Sequence, residues 1–203
     1  MLTVTVLDGG HGNLASVRNA FEHIGARVLV TATPEGVASA EALIFPGQGA
    51  APHALASLRR SGLDIAFRDA VCSSVPTLGI CLGMQLVLDR SEEGPSACLG
   101  LIPGDSQPFA PAPGLKVPQI GWNTVRHDGD PLFNGIPAES YFYFVHSYFC
   151  RPEPATAIGW TQYGAEYVSA LRLDRFWATQ FHPEKSGELG LTLLRNFLDL
   201  ARC

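Results

Sequence analysis

The sequence contains no apolar run close to the roughly 20 residues that a membrane span needs. It also has no block of like charges, no low-complexity tract and no cluster of Lys and Arg. Each absence removes a class of function. A formal charge of -5 without a basic stripe argues against a general nucleic-acid binder. A composition 46% hydrophobic and 16% charged argues against disorder. The opening MLTVTVLDGG lacks a basic segment followed by a long apolar one, so no secretory signal is expected. Cys72, Cys81, Cys98, Cys150 and Cys203 form no C-x-x-C pair and are odd in number. That pattern favours a reducing, cytoplasmic setting over a disulfide framework or a zinc site. No two of the six histidines show HExxH or other metal-ligand spacing, so neither metal nor cofactor is expected.

What is present reads as one domain over 1–203. Strand patterns at 3–7, 26–31, 42–45 and 76–80 alternate with helical spacing, in the order that gives a parallel sheet with helices on both faces. Asn13 caps the first helix, whose Leu14, Val17, Phe21 and Ile24 recur at helical spacing before Gly25 ends it. A helical stretch over 50–72 is interrupted at Gly62, and Pro46-Gly47 ends the third strand. After Cys81 a helix is expected, carrying Leu82, Met84, Leu86, Val87 and Leu88. The Pro- and Gly-rich middle, 91–140, reads as short strands and loops extending the sheet antiparallel. YFYFVHSYF, EYVSAL and FWATQF follow as strands. A last amphipathic helix over 188–201 offers Leu191, Leu194, Leu198 and Leu200 to the core. The predicted class is therefore a doubly wound α/β fold with an antiparallel extension.

Chemistry concentrates at Gly79-Ile80-Cys81-Leu82-Gly83, a small–x–nucleophile–x–small pattern between an apolar strand and a helix. Such a nucleophile elbow turns so sharply that only glycines fit beside the nucleophile. It projects the thiol above the sheet, and the adjoining helix start favours the thiolate and frees the Leu82 N–H as an oxyanion donor. The competing reading is a buried packing cysteine. A thiol nucleophile needs a base, and the base needs an orienting partner. His182-Pro183-Glu184 offers both, at the end of a strand where doubly wound sheets place their sites. In extended backbone Glu184 and His182 face the same side. Alone, His182 would read as a loop histidine and Glu184 as a first-turn carboxylate; together with the elbow they read as catalytic. Gly10-His11-Gly12-Asn13-Leu14-Ala15 fits G-x-G-x-x-A, but no carboxylate follows the next strand before Glu35. A nucleotide site is therefore not expected, and the turn reads as tight packing or a contact surface.

GICLGMQ (79–85) with HPEKSG (182–187) resembles the triad, or class I, glutamine amidotransferases. GNL (12–14), PGQGA (46–50), SEEG (91–94), KVPQIGWN (116–123), YFVHSY (143–148) and ATQFHPEKSG (178–187) are similar in order and spacing to one group of that family, the glutaminase subunits of imidazole glycerol phosphate synthase. The resemblance implies that Cys81 forms a γ-glutamyl thioester, that His182 moves the protons and that Glu184 orients it. It implies that Gln85, Ser147 and Tyr148 hold the amino-acid head of glutamine, with His146 lining the site. It implies an oxyanion strand at Gly47, Gln48 and Gly49, and a docking face with Asn13, Trp122 and Lys185. That face would meet a (β/α)8-barrel cyclase in a 1:1 heterodimer. Three positions depart from the family's usual residues: Gly9 for Tyr, Gln48 for Val and Gln119 for His. The competing functions are the glutaminase of another synthase, such as anthranilate synthase, a stand-alone cysteine hydrolase of γ-glutamyl peptides, and a non-catalytic regulatory binder.

Overall fold

The computed structural model describes residues 2–10, 12–94 and 96–203. The expectation for His11 lies outside them. The first half of the chain alternates as predicted. It forms β1 (Thr3–Leu7), α1 (Leu14–His23), β2 (Arg27–Thr31), α2 (Pro34–Ala38), β3 (Ala42–Gly47), α3 (Ala51–Ser61), α4 (Leu63–Cys72), β4 (Thr77–Cys81) and α5 (Leu82–Gln85). β1 pairs in parallel with β2 and β3, and β3 with β4.

The second half forms β5 (Arg90–Ser91), β6 (Ser96–Ala97), β7 (Gly104–Pro108), β8 (Gln119–His127), β9 (Ser140–His146), β10 (Tyr148–Pro152), β11 (Ala157–Tyr163), β12 (Ala165–Leu173), β13 (Phe176–Thr179) and α6 (Gly187–Arg202). β13 returns to lie parallel beside β4. The main path of the sheet runs β2-β1-β3-β4-β13-β12-β10-β7-β5-β6, with β8, β9 and β11 branching off it. Beyond β13 the pairing turns antiparallel as far as β7, β12 against β13 and β10 and β10 against β7, before β5 joins β7 in parallel. The parallel sheet with an antiparallel extension is thus the architecture adopted.

Helices cover both faces. On one, Val17 and Phe21 of α1 and Leu193, Leu194 and Phe197 of α6 pack on Val4, Val6, Ile44 and Ile80. On the other, Val37, Leu55, Leu58 and Phe67 pack on Leu7, Leu43 and Phe45. Each such side chain, fully buried, contributes about 1.5–3 kcal/mol, so the two faces clamp the strands whose ends carry the chemistry. The 50–72 helix does break at Gly62, where φ is 70°.

Several boundaries differ from the sequence reading. β3 does not stop before Pro46. Its ladder with β1 ends at the Val6–Ile44 pair, so on that side no carbonyl awaits the missing proline N–H. The helix after Cys81 is a single turn rather than a run to Leu88. The carbonyls of Leu86, Val87 and Leu88 accept instead from Leu99, Leu101 and Gly100 at 2.9 Å each, which draws 86–88 into a buried turn. α2 and β11 were not foreseen. PEGVA is too short to show a period, and Thr33 starts it by accepting from the Gly36 N–H at 3.2 Å. YFYFVHSYF is two strands that separate at Ser147, β9 pairing with β8 and β10 with β7. In α6 the buried stripe includes Leu194 and Leu198 but also Leu193, Phe197 and Ala201, while Leu191 and Leu200 are only partly buried.

Candidate active site

Cys81 is the last residue of β4 and turns the chain with φ 55° and ψ -106°. A positive φ in a non-glycine residue stores strain, and it aims the thiol away from the strand. The flanking glycines answer to crowding rather than to unusual dihedrals. A Cβ at Gly83 would run into the Phe45 carbonyl oxygen, and one at Gly79 would lie 3.0 Å from Ala178 Cβ. Gly47 is held to the same standard, since a Cβ there would lie 2.9 Å from Leu82 Cβ. Gly47 is also the residue paired in register with Cys81, which sets the Gly47–Gly49 segment beside the thiol. Leu82 opens α5, so its N–H has no partner within the helix. With α5 only one turn long, the electrostatic help expected from a long helix shrinks to these local N–H groups.

The His182 ring is buried against this elbow. Its Nδ1 is 2.8 Å from Glu184 Oε1, and both side chains are 2% exposed. Glu184 does not reach it along an extended strand, as the spacing suggested. His182 is extended, but Pro183–Lys185 form a 3₁₀ turn that swings the carboxylate back. The other nitrogen, Nε2, is buried without a hydrogen-bond partner among the described residues, and the Cys81 sulfur is close enough to act on the ring. Burial is the largest single influence and lowers the His182 pKa. The neighbouring Cys81 sulfur and the Glu184 carboxylate together outweigh burial and push the value up to about 10. The backbone holds the residue as well: His182 N–H donates to the Tyr143 carbonyl at 2.9 Å, and Ser186 Oγ donates to the His182 carbonyl at 2.6 Å.

A cleft of about 420 Å³ opens over the thiol, within the range of small-molecule sites. Gln48, Gly49, Leu82, Gln85, His146, Ser147, Tyr148 and Lys185 all line it. The bend at Ser147 between β9 and β10 delivers 146–148 to its wall. His146 is buried and lowered to about 4, chiefly by that burial and further by the charge of His182, although its bond to the Tyr148 carbonyl works the other way. It is therefore neutral at physiological pH. Its Nδ1 is 2.7 Å from the Tyr148 carbonyl, and its Nε2 is 3.1 Å from Gln119 Oε1 and 3.2 Å from the Tyr167 hydroxyl.

The residues expected at a docking face do not all sit alike. Trp122 is 55% exposed, on the face of the β8/β9 ribbon shared with Ile120 at 63% and Tyr141 at 59%. Lys185 joins this face to the cleft, its Nζ 6.0 Å from the Tyr143 ring centroid. Asn13 is half-buried, and its side chain is spent on the helix cap, accepting from Ser16 N–H at 3.2 Å. It borders a crevice with Gln48, His182 and Glu184 rather than the exposed patch. Of the other histidines, His23 and His53 are exposed on helices, and His127 stacks on Phe133 with centroids 4.5 Å apart.

Two residues were not singled out from the sequence. Glu93 lines the cleft and accepts the Ala51 N–H at 2.8 Å, starting α3. Gln180 touches the Cys81 sulfur from a fully buried position. Both lie inside recognised segments, SEEG and ATQFHPEKSG, but only the fold brings Gln180 to the thiol and Glu93 to the cleft.

The family model described as glutamine amidotransferase class-I matches residues 5–201. The imidazole glycerol phosphate synthase subunit HisH of Herpetosiphon aurantiacus is 45% identical over 98% of this chain and 94% of its own length. The protein of the same description from Dehalococcoides mccartyi is 44% identical over 98% and 97%. Among solved structures, PurLQS from Thermotoga maritima shares the fold at 15% identity, with a TM-score of 0.78 over 98% of this chain and 99% of that one. By both the family model and these relatives, the chain belongs to the class I glutamine amidotransferases, alongside the HisH subunits of imidazole glycerol phosphate synthase.

Proposed function

We propose that this chain is the glutaminase subunit of an imidazole glycerol phosphate synthase, hydrolysing glutamine to glutamate and ammonia for a cyclase subunit in histidine biosynthesis. One arrangement carries the reading: the His182 ring set between the strained Cys81 and a buried carboxylate, beside an amino-acid-sized cleft. Cys81 attacks the side-chain amide carbon of glutamine. His182 delivers its proton to the amide nitrogen, the C–N bond breaks, and ammonia leaves a thioester on Cys81. Water then adds to the thioester, giving a proton to His182. The C–S bond breaks, and the thiolate and imidazolium return with glutamate. Glu184 holds the ring throughout, as a buried carboxylate does in a catalytic triad. The Leu82 N–H and the Gly47–Gln48–Gly49 peptides receive the oxyanion. Gln85, Ser147 and Tyr148 hold the amino-acid head, while neutral His146 brings no charge of its own.

The partner in this reading is a (β/α)8-barrel cyclase, bound 1:1 in the cytoplasm. It covers Trp122, Lys185 and the ribbon around them, with Asn13 at its margin. Exposed aromatic and aliphatic side chains on one ribbon face support this, because a monomer gains nothing from leaving them wet. Ammonia released into water is protonated and ceases to be a nucleophile, so delivery through a covered face has a chemical purpose. No described helix is long and apolar enough to cross a membrane. The deciding measurement is glutamine hydrolysis by the isolated chain and by the chain with its cyclase and the cyclase's ligand. The isolated chain will be slow and the liganded complex fast; equal rates would defeat the coupling. Trp122→Ala will weaken the complex by about 2 kcal/mol and leave the melting temperature unchanged, as titration calorimetry and thermal unfolding will read. An unaltered affinity would remove Trp122 from the interface.

A further inference from the structure

Behind the nucleophile lies a buried amide that the triad does not use. Gln180 follows β13, is wholly buried, and places Nε2 3.6 Å from Cys81 Sγ. Turned end for end, the same amide would present its oxygen to the sulfur, so its polarity decides what it can do. The surroundings fix that polarity. The Tyr148 backbone carbonyl can only accept, and Gln85 Nε2 donates to it at 2.9 Å. That commits the NH2 end of Gln85 to this side, and the same nitrogen donates to Gln180 Oε1 at 3.1 Å. The Cys150 thiol donates to that oxygen too, at 3.9 Å. With its oxygen so engaged, Gln180 turns its N–H toward Cys81. The anchoring carbonyl is itself held by His146 Nδ1 at 2.7 Å.

Resting on the glutaminase reading above, we propose that Gln180 is a catalytic residue, an N–H donor to the Cys81 sulfur that stabilises the thiolate before attack and again when it leaves the thioester. His182 gives up and regains its proton during the cycle. An amide donor keeps its proton at every stage, so the sulfur has one constant partner while the other changes charge.

Two substitutions in the complex with the cyclase test this. Gln180→Glu keeps the shape and the oxygen facing Gln85 but replaces the N–H donor; Gln180→Met removes the donor without adding charge. The readouts are the pH dependence of Cys81 alkylation by iodoacetamide, followed by mass spectrometry of its peptide, and steady-state glutamine hydrolysis. In both variants the alkylation half-point will rise by about one pH unit. The kcat will fall about tenfold to a hundredfold, with a smaller change in KM. Co-elution with the cyclase and a cooperative thermal unfolding transition certify the fold of each, and Q180M decides alone should Q180E fail that check. An unchanged alkylation profile in Q180M overturns the proposal whatever happens to kcat, because Gln180 would then only scaffold Gln85. A shift confined to Q180E overturns it as well, being charge repulsion. Alkylation needs no substrate, so a failure of the glutaminase reading shows separately, as absent glutamine hydrolysis by the unsubstituted complex.

Discussion

Cys81→Ala will abolish glutamine-dependent synthesis by the complex and leave ammonia-dependent synthesis intact. The expected loss is at least about a thousandfold, the scale on which removing a covalent nucleophile acts. The second half of the result follows from where the thiol sits. Its strain is local to the end of β4, and its removal opens a gap of one sulfur atom beside the cleft. Alanine at that φ is no more strained than cysteine, so the fold persists and a partner supplied with free ammonia has no need of the thiol. Parallel rate assays with glutamine and with ammonium salts will read this. Equal loss of both would mean that Cys81 is structural, and the packing-cysteine reading would return.

Gly83→Ala will have the next largest effect, of a different kind. The added methyl would be driven into the Phe45 carbonyl oxygen, which is backbone of β3 and cannot turn aside. Relief requires α5 to lift off the sheet, and α5 carries both Leu82 and Gln85. The cost is that of overpacking a rigid site, about 1–3 kcal/mol or more. Thermal unfolding will show a lower melting temperature, and glutamine hydrolysis will fall at least tenfold even where the protein remains folded. An unchanged melting temperature would mean that the β3–α5 contact yields more easily than the geometry indicates. Ala is the smallest possible addition, so the test isolates close approach from side-chain chemistry.

Both predictions begin from the five residues at 79–83, and these were the most readable part of the chain. A nucleophile between two crowded glycines leaves a local mark, as does a histidine two residues from a carboxylate. The 3–81 alternation was also readable, because buried parallel strands and amphipathic helices each impose a period. Residues whose position depends on distant partners were not. Gln180 looks like any polar residue at a strand end until Gln85 and Tyr148 arrive from 95 and 32 positions away. The truncation of α5 depends on N–H groups of 99–101. The split of β9 from β10 leaves no mark beyond one serine in an aromatic run. The Glu184 contact was reached for a reason the structure replaces, since a 3₁₀ turn and not extended backbone brings it to His182. Asn13 shows the converse, a residue whose local job as a helix cap was visible while its side chain was unavailable for the outward face.

The division of the sheet has a consequence for how such a protein can change. Gly47, Gly79 and Gly83 sit at, near or just past the ends of β3 and β4, and each is hemmed in by backbone or buried side chains. Ile120, Trp122 and Tyr141 sit on a ribbon that branches from the antiparallel half and present more than half of their surface to solvent. Substitutions on the ribbon can therefore accumulate at little cost to folding, while those at the strand ends cannot. On the docking proposed above, a lineage could exchange one synthase for another by rewriting the ribbon and inherit the ammonia-producing machinery untouched.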